Sequence, residues 1–156
     1  MPKNKIQIVW FKRDLRITDH RPIFEASINS IPTLPIYIFE TDYWKQPFAS
    51  KRHWCFIHDC LKDLRKDLKN IGQSLIVRSG SVKKIFEELS CGYNIISILS
   101  HEETGNQWTY DRDKSLQNWC LLNNISFTEF PSNGIVRRLK NRLEWSKIRN
   151  SRMKEK

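Results

Sequence analysis

Glycine is scarce in this chain. The five glycines among 156 residues stand at positions 72, 80, 92, 105 and 134, too scattered to build G-x-G-x-x-G or G-x-x-x-x-G-K-[ST]. Nicotinamide-dehydrogenase and P-loop chemistries therefore lose their usual phosphate cradles. No serine stands in a G-x-S-x-G elbow, which removes the common hydrolase signature. Cys55, Cys60, Cys91 and Cys120 form no C-x-x-C pair, so a zinc ribbon or thioredoxin motif is not expected, and all four read as reduced packing residues. Histidine is equally sparse: His53 and His58 are five apart and point to different sides of a helix, so no metal set is predicted. Long apolar runs are missing as well. Residues 8–11 and 95–99, the second broken by Ser97, fall far short of the roughly 20 residues of a membrane span. The N-terminus has Lys3 and Lys5 but neither an h-region nor a small-residue cleavage site, so the expectation is a cytoplasmic protein without a membrane partner.

What the chain does have is the makeup of a globular domain, with 39% hydrophobic residues and 12% aromatics at a length that suits one core. Its net charge of +10 is unevenly placed. Residues 137–156 hold nine Lys or Arg against Glu144 and Glu155, a net +7, while the other 136 residues carry 18 basic and 15 acidic side chains. Such a tail reads as a solvated linker or helix face, with phosphate-backbone binding as the alternative.

Strand and helix patterns alternate along the chain. Lys5–Phe11 reads as a strand, Asp19 as an N-cap, and Pro22 as first-turn residue of a helix to about Ser30. "TLPIYIFE" is a second strand, followed by a polar loop, "TDYWKQPFAS". Ser50 caps a long helix whose stripe of Trp54, Ile57, Leu61, Leu64, Leu68 and Ile71 faces the core, and Gly72 ends it. "SLIVRS" is a third strand. Ser81 precedes a helix with Val82, Ile85, Phe86 and Leu89 on one face, "NIISILS" is the fourth strand, residues 107–124 form a helix with Leu116, Trp119 and Cys120 inward, and "ISFTEF" is the fifth strand. Five strands alternating with four helices predict an α/β fold: a Rossmann-like, open five-stranded parallel sheet with helices on both faces. Ligands of such sheets bind beyond the C-terminal strand ends, where "KRDLR" follows the first strand.

"VWFKRDLRITDH" resembles the opening strand and turn of the DNA photolyase and cryptochrome family, which typically runs R-x-D-L-R-x-x-D-N; His20 stands here where asparagine is usual. "LPIYIFETDYW", "SKRHWCFIHDCLKDLRKDLKNIGQSLIVRSG" and "SHEETGNQWTYDRDKSLQNWCLLNNISFTEFPSNGIVRRL" are similar to later parts of the same N-terminal region, in order. The resemblance implies that residues 1–133 form the family's α/β antenna domain and that 134–156 are a basic linker toward an FAD-binding helical domain, on the same or a separate chain. It also implies an auxiliary chromophore in this domain (a reduced folate, a deazaflavin or FMN), FAD only in the other domain, and DNA as a partner of the full-length protein. The parent activity would be light-driven repair of pyrimidine dimers, a lyase reaction, or blue-light signalling, and this chain alone should be inactive.

The residues expected around the chromophore are Arg13, Phe39, Glu40, Arg52, His101, Glu102 and Glu103. Guanidinium groups would meet its polar end, a ring face would flank a planar heterocycle, and carboxylates would accept its N–H groups. Asp14 with Arg16, and Arg112 with Asp113, read instead as structural pairs. The six tryptophans read as core and interface residues, and no catalytic or metal-binding residue is assigned. Two other readings remain open: a nucleotide-binding or sensor module of similar fold without a light function, and a nucleic-acid accessory module that uses the basic tail. From 134 onward the segment is expected to be mobile, or to pack on a neighbouring molecule as a helix.

Overall fold

The computed structural model describes residues 2–131, 135–137 and 139–154. Strands β1 (Lys5–Phe11), β2 (Thr33–Phe39), β3 (Ile76–Ser79), β4 (Asn94–His101) and β5 (Ser126–Phe130) form one sheet in the order β3-β2-β1-β4-β5, and every pairing is parallel. The order reverses between β1 and β4, so a crevice opens beyond their C-terminal ends.

The period of two along β1 assigns the faces. Ile6, Ile8 and Trp10 join one core cluster with Val82, Ile85, Phe86 and Leu89 of α4 (Val82–Gly92) and Leu116, Trp119 and Cys120 of α5 (Gln107–Leu122). Val9 and Phe11 join the other, with Ala26 of α1 (Arg21–Ile28) and Leu61, Leu64 and Leu68 of α3 (Lys51–Asn70). Gln7 is fully buried and satisfied: its Nε2 donates to Ala26 O, Ile31 O and Thr33 Oγ1 at 2.8–3.0 Å, fastening the end of α1 to the start of β2.

The caps of α3 and α4 are as expected, with Ser50 and Ser81 side chains accepting from His53 N and Lys84 N. Gly72 closes α3 at φ +79°, a conformation that disfavours a Cβ. Four details differ. His20, not Asp19, caps α1, because Asp19 turns the chain at φ 49° and leaves His20 Nδ1 to accept from Ile23 N. Thr41–Trp44, within the stretch read as a loop, forms a single helical turn, α2. Trp54 and Ile57 are only partly buried, because the first turns of α3 face an aromatic group at the sheet edge instead of the sheet itself. Ile71, at the C-cap of α3, is 56% exposed.

Beyond β5, Arg142–Glu144 is a 3-10 turn that leads into α6 (Trp145–Arg152). Gly134, where the expected linker begins, lies outside the described residues. Arg152 Nη1 donates to Ile135 O at 2.9 Å, and Arg137 reaches back to the strand ends. Among the described residues no helix is long and apolar enough to cross a membrane.

Candidate functional site

The end of β1 carries the alternation of its side chains past the strand. Lys12 continues the face of Ile8 and Trp10 and runs beneath α5, where its Nζ lies 3.0 Å from both Asp113 Oδ2 and Glu129 Oε1 and 4.4 Å from the centre of the Trp10 ring. Its side chain is 3% exposed, so the carboxylates replace the water that this ammonium has lost. Arg13 stays at the surface, with Nε 2.7 Å from Glu103 Oε1 and Nη2 donating to the Tyr43 hydroxyl at 3.0 Å.

Arg112 of α5 sits at the centre of the corner. It contacts Glu40 Oε2 at 2.6 Å, Glu103 Oε2 at 2.5 Å and Asp113 Oδ1 at 2.8 Å, with its guanidinium 4.9 Å from the centre of the Trp10 ring. Burial opposes the charge of Arg112, but Asp113, Glu40 and Glu103 outweigh it and push the guanidinium pKa above its ordinary value. Glu40 ends differently: burial pushes its carboxyl up to about 7, against the pull of Arg112, with Glu103 and Asp113 adding repulsion. Arg137 closes the far side, donating to Glu129 Oε2 at 3.0 Å and to the backbone oxygen of Glu103. Lys12, Arg13, Arg112 and Arg137 thus balance Glu40, Glu103, Asp113 and Glu129, four cations to four carboxylates.

A separate group lies beside them. Asp14 Oδ1 accepts from Lys12 N, while Oδ2 lies 2.6 Å from His101 Nδ1 and 2.7 Å from His20 Nε2. The partner of Asp14 is therefore not Arg16, which bonds to Thr18 O and Asp19. Burial alone would raise the Asp14 pKa, but the hydrogen bond from His101 and the neighbouring His20 ring outweigh it and hold the carboxyl well below the usual range. His20 Nε2, although this close, is not aligned for a full hydrogen bond to the carboxylate.

These three residues, spread from 14 to 101, are the one group among the described residues whose donor atoms converge as a metal site would require, within 4.8 Å of one another. Linear spacing of the histidines hides this grouping. The cap on α1 argues against a metal there: His20 Nδ1 accepts from Ile23 N, so the ring's proton is on Nε2, the atom a metal would need.

The Arg13–Glu103 pair divides the crevice. On one side is a narrow cleft of about 40 Å³, lined by Trp10, Arg13, Glu40, Tyr43, Trp44, Glu103 and Arg112 among others. On the other is a wider one of about 250 Å³, bordered by Arg13, Asp14, Arg16, His101, Glu102, Glu103 and Thr104. Of the residues expected at the site, Arg13, Glu40, His101, Glu102 and Glu103 do converge here. Phe39 stands beside them, stacked on Trp44 with ring centres 5.9 Å apart, whereas Arg52 is exposed at the start of α3 and lines neither cleft. Lys12, Tyr43, Trp44 and Arg137 are not evident as site residues from the sequence. Strand parity could have found Lys12, and nothing local could have found Arg137. Arg112 and Asp113 do form the expected pair.

The sequence profile of the DNA photolyase family matches residues 7–141. The chain belongs to the DNA photolyase family. It is 30% identical over 105 residues to the cryptochrome DASH, chloroplastic/mitochondrial, of Arabidopsis thaliana, an alignment that covers 64% of this chain and 18% of that protein. Two solved structures share the fold of this photolyase-family domain at a TM-score of 0.77. One is a bacterial class III photolyase from Agrobacterium tumefaciens, 23% identical, with 92% of this chain and 29% of that chain covered. The other is an archaeal photolyase from Sulfolobus tokodaii, 21% identical, with 96% and 35% covered, whose structure holds two FAD molecules. The chain spans less than a fifth of the Arabidopsis relative's length.

Proposed function

We propose that this photolyase-family domain is a light-harvesting module that holds an antenna chromophore at the β1–β4 crevice, within a protein whose parent activity is light-driven repair of pyrimidine dimers in DNA or blue-light signalling. FAD would then sit in a second, helical domain, and contact with DNA would be made by the whole protein. The observation that carries the reading is the makeup of the crevice. Rings of Tyr43, Trp44 and Trp10 and the charged groups of Arg13, Glu40, Glu103 and Arg112 line one cleft at the strand ends, while no nucleophile–base pair lines it.

An antenna chromophore supplies absorption and passes excitation onward, so the protein's tasks are to fix, orient and shield it. Glu40 and Glu103 can accept N–H groups of a planar heterocycle, and Arg13 and Arg112 can hold an anionic substituent. The fit requires one movement. A cleft of about 40 Å³ is well below the roughly 300 Å³ at which ligand pockets begin, so uptake parts Arg13 from Glu103 and joins the two clefts. A reduced folate, a deazaflavin and FMN are the candidate ligands, and the donor set alone does not select among them.

The test is to incubate the purified chain with each compound, remove excess by gel filtration and record absorbance above the tryptophan band. Retention of one compound at unit stoichiometry is expected, and Glu103→Gln should weaken it by about 1–3 kcal/mol through the lost charge-assisted bonds. If Glu103→Gln lowers only the melting temperature, and no compound is retained by folded protein, the corner is scaffolding and the reading fails.

A further inference from the structure

Glu103 borders both clefts, and the turn that carries it is fastened from three sides. At its start, Glu102 N donates to Phe130 O at 2.7 Å, which ties the end of β4 to the end of β5. At its far end, Asn106 caps α5, its Oδ1 accepting from Thr109 N at 3.1 Å, and Gly105 lies close against the buried Thr109. The third fastening comes from beyond the sheet. Ile135 and Arg137 border one groove with Thr104, Gly105 and Asn106, and the Arg137 guanidinium bonds to two partners at once. Its Nη1 donates to Glu129 Oε2 at 3.0 Å, and its Nη2 donates to the backbone oxygen of Glu103. Glu129 is itself held, because its other oxygen takes the buried Lys12 ammonium at 3.0 Å. A planar fork serves two acceptors at a fixed spacing, which an ammonium on a flexible stem does not.

The two halves of the Arg13–Glu103 pair are therefore unequal. The Glu103 side chain is buried, its Oε2 stays with Arg112 at 2.5 Å whatever Arg13 does, and its backbone is bonded to Arg137. The Arg13 side chain is 53% exposed, and beyond Glu103 it bonds to the Tyr43 hydroxyl at the surface. Releasing a half-exposed guanidinium to water costs little, whereas moving Glu103 breaks buried, charge-assisted bonds.

We infer that Arg137 is a positioning residue for the crevice: it locks the β4–α5 turn, so that Glu103 stands as a fixed acceptor and a ligand enters by displacing Arg13 alone. The inference rests on the antenna reading for the ligand, and goes beyond it in naming the side chain that moves and the residue that holds the other still. An acceptor already in place loses little freedom on binding, so the lock acts by lengthening the stay of the ligand.

The experiment compares Arg137→Gln, Arg137→Lys and Arg13→Gln in the full chain, each checked for folding by circular dichroism. Lys140→Gln, at an exposed position, controls for the loss of one positive charge. In the ligand-free protein, amide hydrogen exchange at Glu102, whose N–H is bonded to Phe130 O, reads opening of the turn. Arg137→Gln should speed this exchange about tenfold and Arg137→Lys by less, with Arg13→Gln and Lys140→Gln leaving it unchanged and protection in α3 equal throughout. With whichever of reduced folate, deazaflavin or FMN the wild type retains, Arg137→Gln should raise the dissociation rate about tenfold and leave the association rate as it is. Unchanged exchange at Glu102 in Arg137→Gln, or faster exchange there in Arg13→Gln, would overturn the proposal. Full rescue by Arg137→Lys would reduce Arg137 to charge balance, and an unchanged dissociation rate would separate the turn from the ligand; either result overturns it too. If the wild type retains none of the three compounds, the antenna reading fails, and the exchange at Glu102 still decides whether Arg137 holds the turn.

Discussion

Lys12 is the residue whose removal should be felt most. Its ammonium is buried between Asp113 and Glu129, and Lys12→Met would leave those carboxylates to Arg112 and Arg137 alone. We expect a loss of about 3 kcal/mol in urea unfolding, in the range for breaking a buried pair from one side. Glu40 makes the opposite case. Its folded-state pKa of about 7 lies above the ordinary 4.5, so the folded state binds a proton more tightly than the unfolded chain does. The stability linked to it is fully present below about pH 4.5 and is lost as pH rises through about 7. Glu40→Gln should therefore flatten the stability profile across that window, by about 1–3 kcal/mol between its ends, in urea unfolding at a series of pH values. A variant with an unchanged slope would place the titrating group elsewhere.

Among the elements, the turn between β4 and α5 is the tightest part of the site. A Cβ built on Gly105 would lie 2.8 Å from Thr109 Oγ1 and 3.4 Å from Arg13 Nη2, and Thr109 is fully buried. Gly105→Ala should cost about 1–3 kcal/mol by thermal melting, because Thr109 has no room to move away. The elements themselves were mostly legible in the sequence. The stripe of Leu61, Leu64 and Leu68 in α3 and the stripe of Val82, Ile85, Phe86 and Leu89 in α4 are local periodic signals, and both are buried as they predict. What failed was short or capped by an unusual residue. A single turn such as α2 has too few residues to show a period, and histidine is a rare N-cap beside the aspartate that precedes it. The site was legible only in part, for a related reason. Arg13, Glu40 and the run from His101 to Glu103 follow strands, so a parallel sheet brings them to one edge, but partners such as Arg112 and Arg137 depend on how α5 and the following segment lie across that edge.

At the scale of the whole molecule, the reversal of strand order between β1 and β4 places the crevice, and the balanced corner of four cations and four carboxylates fills much of it. Membership of the photolyase family accounts for the fold and for the position of the crevice, while the ion pairs explain why the corner is closed. Uptake of a chromophore should open this corner and no other surface. Amide chemical-shift mapping of the isotopically labelled chain, titrated with whichever of reduced folate, deazaflavin or FMN it retains, reads that opening directly. The largest shifts are expected at residues 11–14, 40–44, 101–105 and 112, as the ion pair between Arg13 and Glu103 breaks. Shifts confined to α4 or to residues 139–154, or none at all with a folded protein, would contradict it.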